Sequence, residues 1–150
     1  MIPTANLRRL LTDDRGSTLI LTIFYAALSL VLILLVTAAT SLYLERKRLF
    51  ALADGAALVG AEAFELSDVT ATAGTPGVLL ADDAVASAVT DYVAVIPHEF
   101  EGLSIDRAAS PDGAGAVVEL SAMWRPPVVS LLVPEGMRIE VQASARSVFG

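Results

Sequence analysis

Few side chains in this sequence are equipped for chemistry. His98 is the only histidine, set in Pro97-His98-Glu99-Phe100, and the 150 residues contain no cysteine. Without thiols, disulfide frameworks, thiolate zinc sites and cysteine nucleophiles are excluded. A single histidine can act as the base of a hydrolytic triad, because serines and aspartates are plentiful. No nucleophile elbow, phosphate-binding glycine loop or zinc-helix motif accompanies it. It reads as a loop histidine at a helix end. Asp82-Asp83 offers two adjacent carboxylates to a divalent cation, but such pairs more often serve the dipole of a helix start. The expectation is a chain that is not an enzyme, with no catalytic, cofactor or metal residues.

Asp54 raises a different question. It is the lone carboxylate in RLFALADGAALVG, residues 48–60. Leu49, Leu52, Ala56, Val59, Ala63 and Leu66 recur at alternating steps of three and four, the spacing of a packed helical seam. On that wheel Asp54 lies with Lys47, Ala61 and Glu65, nearly opposite the seam. Three uses remain open: a solvated outer face, a break at Asp54-Gly55 where a new helical segment begins, or a contact with a basic group on a neighbouring subunit. Around it Ala53, Ala57 and Ala61 are spaced by four, as are Ala56 and Gly60, a pattern that lets helix backbones approach closely. The residues expected to carry helix packing or assembly are therefore Leu49, Leu52, Ala53, Asp54, Gly55, Ala56, Ala57, Val59 and Gly60.

The element that positions them begins further upstream. From Ser17 to Leu44 there are 28 residues without a charge, and the chain is 55 % hydrophobic with a mean hydropathy of +0.65. A helix of that length exceeds the roughly 30 Å hydrocarbon core of a bilayer. The run is too long for the apolar region of a cleaved secretory signal. Residues 17–44 thus read as a transmembrane helix and 45–66 as its continuation outside the membrane, after a leader of residues 1–16. Arg8, Arg9 and Arg15 precede the span and Arg46, Lys47 and Arg48 follow it, so charge alone leaves the orientation open. Beyond residue 48 stand 14 acidic residues and four arginines. A tail of that sign is repelled by nucleic acid, which is not expected as a partner; the lipid bilayer is.

Residues 67–150 read as a small acidic head, making the whole a membrane-anchored α+β protein. Ser67 to Gly77 has the composition of a loop. A helix is expected from about Ala81 to Ile96, with Val85, Val89, Tyr92 and Ile96 on one face and Pro97 ending it. Three strands of an antiparallel sheet follow. Leu103 and Ile105 alternate with Ser104 and Asp106; Val118, Leu120 and Ala122 alternate with Glu119 and Ser121. Ile139, Val141, Ala143 and Ala145 alternate with Glu140, Gln142, Ser144 and Arg146. Pro111-Asp112-Gly113 and Pro134-Glu135-Gly136 supply turns. Residues 128–133, VVSLLV, suit a short helix or a fourth strand, the preceding prolines tilting the choice to helix.

Arg15-Gly16-Ser17 completes the set. A basic leader, a glycine and then an apolar helix is the arrangement of a prepilin-type processing site, and cutting between Gly16 and Ser17 would remove three arginines. The fifth residue after that cut is Leu21, where pilins carry a glutamate. The stretch from Asp14 to Phe64 resembles the TadE/TadG-like family of the tight-adherence (Flp-type) pilus assembly apparatus. The resemblance rests on Arg15-Gly16-Ser17 before the span, Tyr43-Leu44-Glu45-Arg46-Lys47-Arg48-Leu49 after it, and Ala53-Asp54-Gly55-Ala56-Ala57-Leu58 with Gly60-Ala61. It implies a bacterial plasma-membrane protein with a cytoplasmic N-terminus and an extracytoplasmic head. Its partners would be other pilin-like subunits or the pilus assembly machinery, with prepilin peptidase acting on the leader. The expected function is a pilin-like structural or accessory subunit; the alternative is a static single-pass adaptor whose head binds an envelope partner.

Overall fold

The uncharged run and the seam beyond it form one uninterrupted helix. In the computed structural model, which describes residues 14–63, 69–72, 75–78, 80–125 and 135–146, α1 spans Asp14–Ala61, 48 residues. Proline is absent from this stretch and leucine and alanine dominate it, so nothing interrupts the hydrogen-bond ladder. The Thr22 and Thr37 hydroxyls donate to the carbonyls of Thr18 and Ile33, each at 2.8 Å, which satisfies them without water. The helix stops at Ala61, short of the expected position near 66. There the ladder tightens: the Glu62 N–H is shared between the Leu58 and Val59 carbonyls at 3.2 Å, and Ala63 N–H reaches Gly60 O at 3.3 Å. Leu66 and Glu65 lie outside the described residues, as do the leader to residue 13 and the VVSLLV segment.

Two compact units divide the chain, Met1–Ala39 and Thr40–Gly150. The division falls inside α1. The reason is burial: the helix from Leu49 onward contributes Leu49, Leu52, Ala53, Ala56, Ala57 and Ala61 to the hydrophobic core of the second unit.

That unit holds one element the sequence reading lacks. Where residues 67–77 are expected to be loop, β1 (Val69–Thr72) and β2 (Thr75–Val78) pair antiparallel from Val69↔Val78 to Thr72↔Thr75. Val69, Thr70, Thr72, Thr75 and Val78 are β-branched and favour extended backbone, a preference that the loop-like composition around them masks. α2 follows at Asp82–Val95, within a residue of its expected bounds. Pro97 holds Ile96 extended at φ −74° and ψ 123°, which ends the helix. Its buried line is Val85, Val89 and Val93; Tyr92 and Ile96, expected on that line, are half-buried at its margin.

The three-stranded sheet has the order β3 (Glu101–Ala109), β4 (Gly115–Trp124), β5 (Met137–Arg146), all antiparallel. β4 and β5 stay in register over ten pairs, from Gly115↔Arg146 to Trp124↔Met137. β3 shifts register between Glu101 and Ser104 and again between Ile105 and Arg107. Gly102, at φ +57°, supplies the left-handed residue for the first shift. Val118, Leu120, Ala122, Ile139, Val141 and Ala143 are buried, and their register pairs share one sheet face.

The other face is not simply wet. Ser121, expected to face solvent, is fully buried because it sits on the central strand beneath a polar cover. The Arg138 guanidinium donates to Ser121 Oγ at 2.5 Å and to Asp106 Oδ1 at 2.8 Å. Hydrogen bonding from Ser121 first, then from Ser104, together with the Arg138 charge, holds the Asp106 carboxyl below its ordinary value of 3.8. Asp112 in the β3–β4 turn is lowered likewise. Its Oδ1 accepts the Ala114 and Gly115 N–H groups, both at 3.1 Å, and Oδ2 accepts from Arg146 at 2.8 Å.

A lowered carboxylate pKa means the folded state holds the charged form better than the unfolded chain does. Asp112 therefore contributes stability above pH 3.8, and that contribution is lost as pH falls through its depressed folded value. Asp112→Ala is expected to lower the thermal midpoint of the detergent-solubilised chain near neutral pH. The gap from the parent should close in strongly acidic buffer, as followed by circular dichroism.

Candidate functional site

Two faces of α1 between Tyr43 and Ala61 carry different chemistry. The inner face buries Leu49, Leu52, Ala53, Ala56, Ala57, Gly60 and Ala61, most of them completely. This is a stripe of period 3.6, broader than a strict a/d seam. Val59, expected in the seam, is half-buried at its edge, and Ala61, expected beside Asp54, is fully buried. Small residues are required where the helix meets its own head. A Cβ at Gly60 would lie 3.1 Å from the Ala116 Cβ and the Val85 Cγ1 and 3.2 Å from the Val89 Cγ2. Gly60 thus marks where α1, α2 and β4 come together. At Gly55 a Cβ would collide with the Tyr92 hydroxyl, so this glycine makes room for an aromatic rather than a bend. α1 runs through Asp54-Gly55 unbroken.

The outer face is Tyr43, Lys47, Phe50, Asp54 and Leu58, at steps of four, three, four and four. All five are exposed, including Tyr43 at 61 %, Leu58 at 53 % and Phe50 at 46 %. Asp54 therefore stands on a mixed apolar and charged stripe whose N-terminal part, Tyr43, Lys47 and Phe50, borders an open hollow with Val141 and Gln142 of β5. Neither it nor Lys47 makes an ion pair among the described residues, whereas Arg48 pairs with Glu45 at 3.9 Å.

The first unit presents an apolar shell. Leu19, Ile20, Ile23, Phe24, Ile33 and Val36 are each at least 60 % exposed. Apolar area left in water costs about 25 cal/mol per Å², so such a shell calls for a non-aqueous surrounding. The helix is long and apolar enough to cross a membrane once, near the N-terminus. Gly16 and Ser17 lie at its start, inside the first turns of α1.

The groups first considered for chemistry do structural work. Asp82 Oδ1 accepts the Ser110 N–H at 2.7 Å, tying the start of α2 to the end of β3, and Asp83 Oδ1 accepts the Ala84 N–H at 3.0 Å. His98 is exposed, its ring tilted against Phe100 with centroids 5.9 Å apart. It borders an open groove of about 620 Å³ with Tyr92, Phe100, Glu45 and Arg48. Among the described residues no group of three histidines or carboxylates converges on a metal position.

Residues 16–63 match the family described as putative Flp pilus-assembly TadE/G-like. The matched segment is α1 almost end to end, both faces included, and it covers about a third of the chain. No curated protein and no solved structure matches the chain.

The inner stripe predicts a ranking. Gly60→Leu must displace side chains from two helices and a strand and is expected to destabilise the head by about 1–3 kcal/mol or more. Leu49→Ala opens a cavity in the core and is expected to cost about 2–5 kcal/mol. Asp54→Asn should change stability by no more than about 0.5 kcal/mol. Denaturant titration of the three variants, read by Trp124 fluorescence, checks the order.

Proposed function

From the TadE/G-like identity of residues 16–63, we propose that this chain is a pilin-like structural or accessory subunit in a tight-adherence-type pilus or a related secretion apparatus. The match of residues 16–63 to that family supports a part in Flp-type pilus assembly and contact with the assembly machinery. The observation that carries the finer reading is the coincidence of the matched segment with α1. What relates this chain to the family is a helix with a lipid-compatible first part and a head-bearing last part, not a pocket or a catalytic group. The chain acts by anchoring and packing rather than by catalysis.

In this reading the span crosses the bacterial plasma membrane once, the basic leader is cytoplasmic, and the acidic head is extracytoplasmic. Prepilin peptidase cuts between Gly16 and Ser17. Removing Arg8, Arg9 and Arg15 takes away the charges that hold the N-terminus at the cytoplasmic face and lets the apolar helix leave the bilayer. A second reading rests on Leu21, which occupies the position of the pilin glutamate. Without that carboxylate there is no partner for a neighbour's terminal amine, and the chain stays in the membrane as an adaptor for an envelope component.

The intact mass of the membrane-extracted chain separates the two. Expression with the host's prepilin peptidase is expected to remove residues 1–16, leaving Ser17 at the terminus, while a peptidase-deficient host yields the uncut chain. A full-length mass in both hosts would give the adaptor reading the lead.

A further inference from the structure

Among the described residues, the outer stripe of α1 carries two charges without an ion-pair partner and three exposed apolar side chains, all on one face. We propose that this stripe docks a second copy of the chain, displaced along the helix axis by two turns, so that Lys47 of one copy pairs with Asp54 of the next.

The charges single out this face. In the head, Arg107, Arg125, Arg138 and Arg146 each hold a carboxylate within 4 Å, and Arg48 holds Glu45. Arg46 turns to one side, lining a hollow with Glu119 and Glu140. Among the described side chains Lys47, like Arg46, makes no ion pair, and of the several unpaired carboxylates Asp54 is the one on the same stripe, exposed and of opposite sign. Seven residues apart, Lys47 and Asp54 are separated by about 10.5 Å along the axis. They form no ion pair among the described residues.

Register decides the rest. Copies inserted in one membrane by the same helix lie parallel. Placed level, they would set Lys47 against Lys47 and Asp54 against Asp54, which repel. A shift of seven residues sets Tyr43 against Phe50, Lys47 against Asp54 and Ala51 against Leu58. Aromatic then meets aromatic, cation meets anion and a small residue meets a large one. Antiparallel docking is unavailable to chains anchored the same way. The staggered contact is heterologous: each pair leaves one Asp54 and one Lys47 free at opposite ends, so it propagates into a line rather than closing as a dimer. The inference rests on the proposed function for the parallel placement of copies.

The absence of native cysteine makes a direct test clean. Full-length chains bearing Ala51→Cys or Leu58→Cys, with Lys47 and Asp54 intact and with different tags, are co-expressed and oxidised in the membrane. The mixed 51–58 product is expected to exceed the 51–51 and 58–58 products several-fold. With Ala51→Cys and Leu58→Cys as reporters, Lys47→Asp or Asp54→Lys alone should abolish crosslinking, and the two together should restore it. Unchanged thermal midpoints for the charge variants would show that the head is intact.

Predominant like-with-like crosslinks, or no restoration by the double swap, would overturn the staggered contact. So would crosslinking that depends on Lys47 and anionic lipid while Asp54→Asn is silent, which would assign the stripe to lipid phosphate. The functional reading fails separately: pili that assemble normally in cells lacking the chain would sink it while leaving a measured 51–58 crosslink in place.

Discussion

Everything in the head depends on how closely the last part of α1 can approach the sheet and the second helix. Gly60 touches that limit, since even a methyl group there would press on Ala116, Val85 and Val89. Around it, Ala53, Ala56, Ala57 and Ala61 are completely buried. Facing them are larger side chains, Leu120 and Val118 from β4 and Val85 and Val89 from α2, while α1 contributes its own large core residues, Leu49 and Leu52, nearer the membrane-crossing part. Small on one side and large on the other is how facing layers fill their shared volume without voids. The helix is thus a structural element of the head, and residues 67–150 by themselves would lack one wall of their core.

This arrangement accounts for the composition of α1. Its first part needs apolar residues all round, because every side faces the same medium. Its last part needs three properties at once: small residues inward, a polar margin, and a face free for whatever lies outside the chain. Asp54 belongs to that free face. An alanine-rich helix without it would present an unbroken apolar and small-residue surface, which has little power to choose between registers. In the proposed staggered contact, a single carboxylate two turns from a single lysine supplies that discrimination.

The sheet resists disorder from the other side. Its outer face is closed by Arg138 reaching across strands to Ser121 and Asp106, and the β3–β4 turn is pinned by Asp112 to Ala114, Gly115 and Arg146. These contacts are polar and mostly exposed, so they set geometry more than they add free energy. β4, central and buried on both sides at Ser121, is the element to which the others are referred. The regular pairing of β4 with β5 contrasts with the twice-shifted β3, which carries the bulges that bend an edge strand.

Periodicity and charge by themselves determined the long helix, α2 to within a residue, the three strands and the turn at Asp112, because each follows from local pattern. The same local reading marked the positions from Leu49 to Gly60 as candidates for close helix packing or assembly. It could not say what packs there. The seam spacing was compatible with a neighbouring subunit or with the chain itself, and only the tertiary structure decided for the chain's own α2 and sheet. Val59 is less buried and Ala61 more buried than expected because the buried stripe is cut by two neighbouring elements whose positions no helical wheel contains. Ser121 alternates like a solvent residue, yet it is covered by Arg138, 17 residues away in sequence. The hairpin at 69–78 escaped notice because its β-branched residues are interleaved with loop-forming ones, and pairing between strands, not propensity, makes them extended. Local pattern specifies which surfaces need covering; the long-range partners that cover them exist only once the chain has folded.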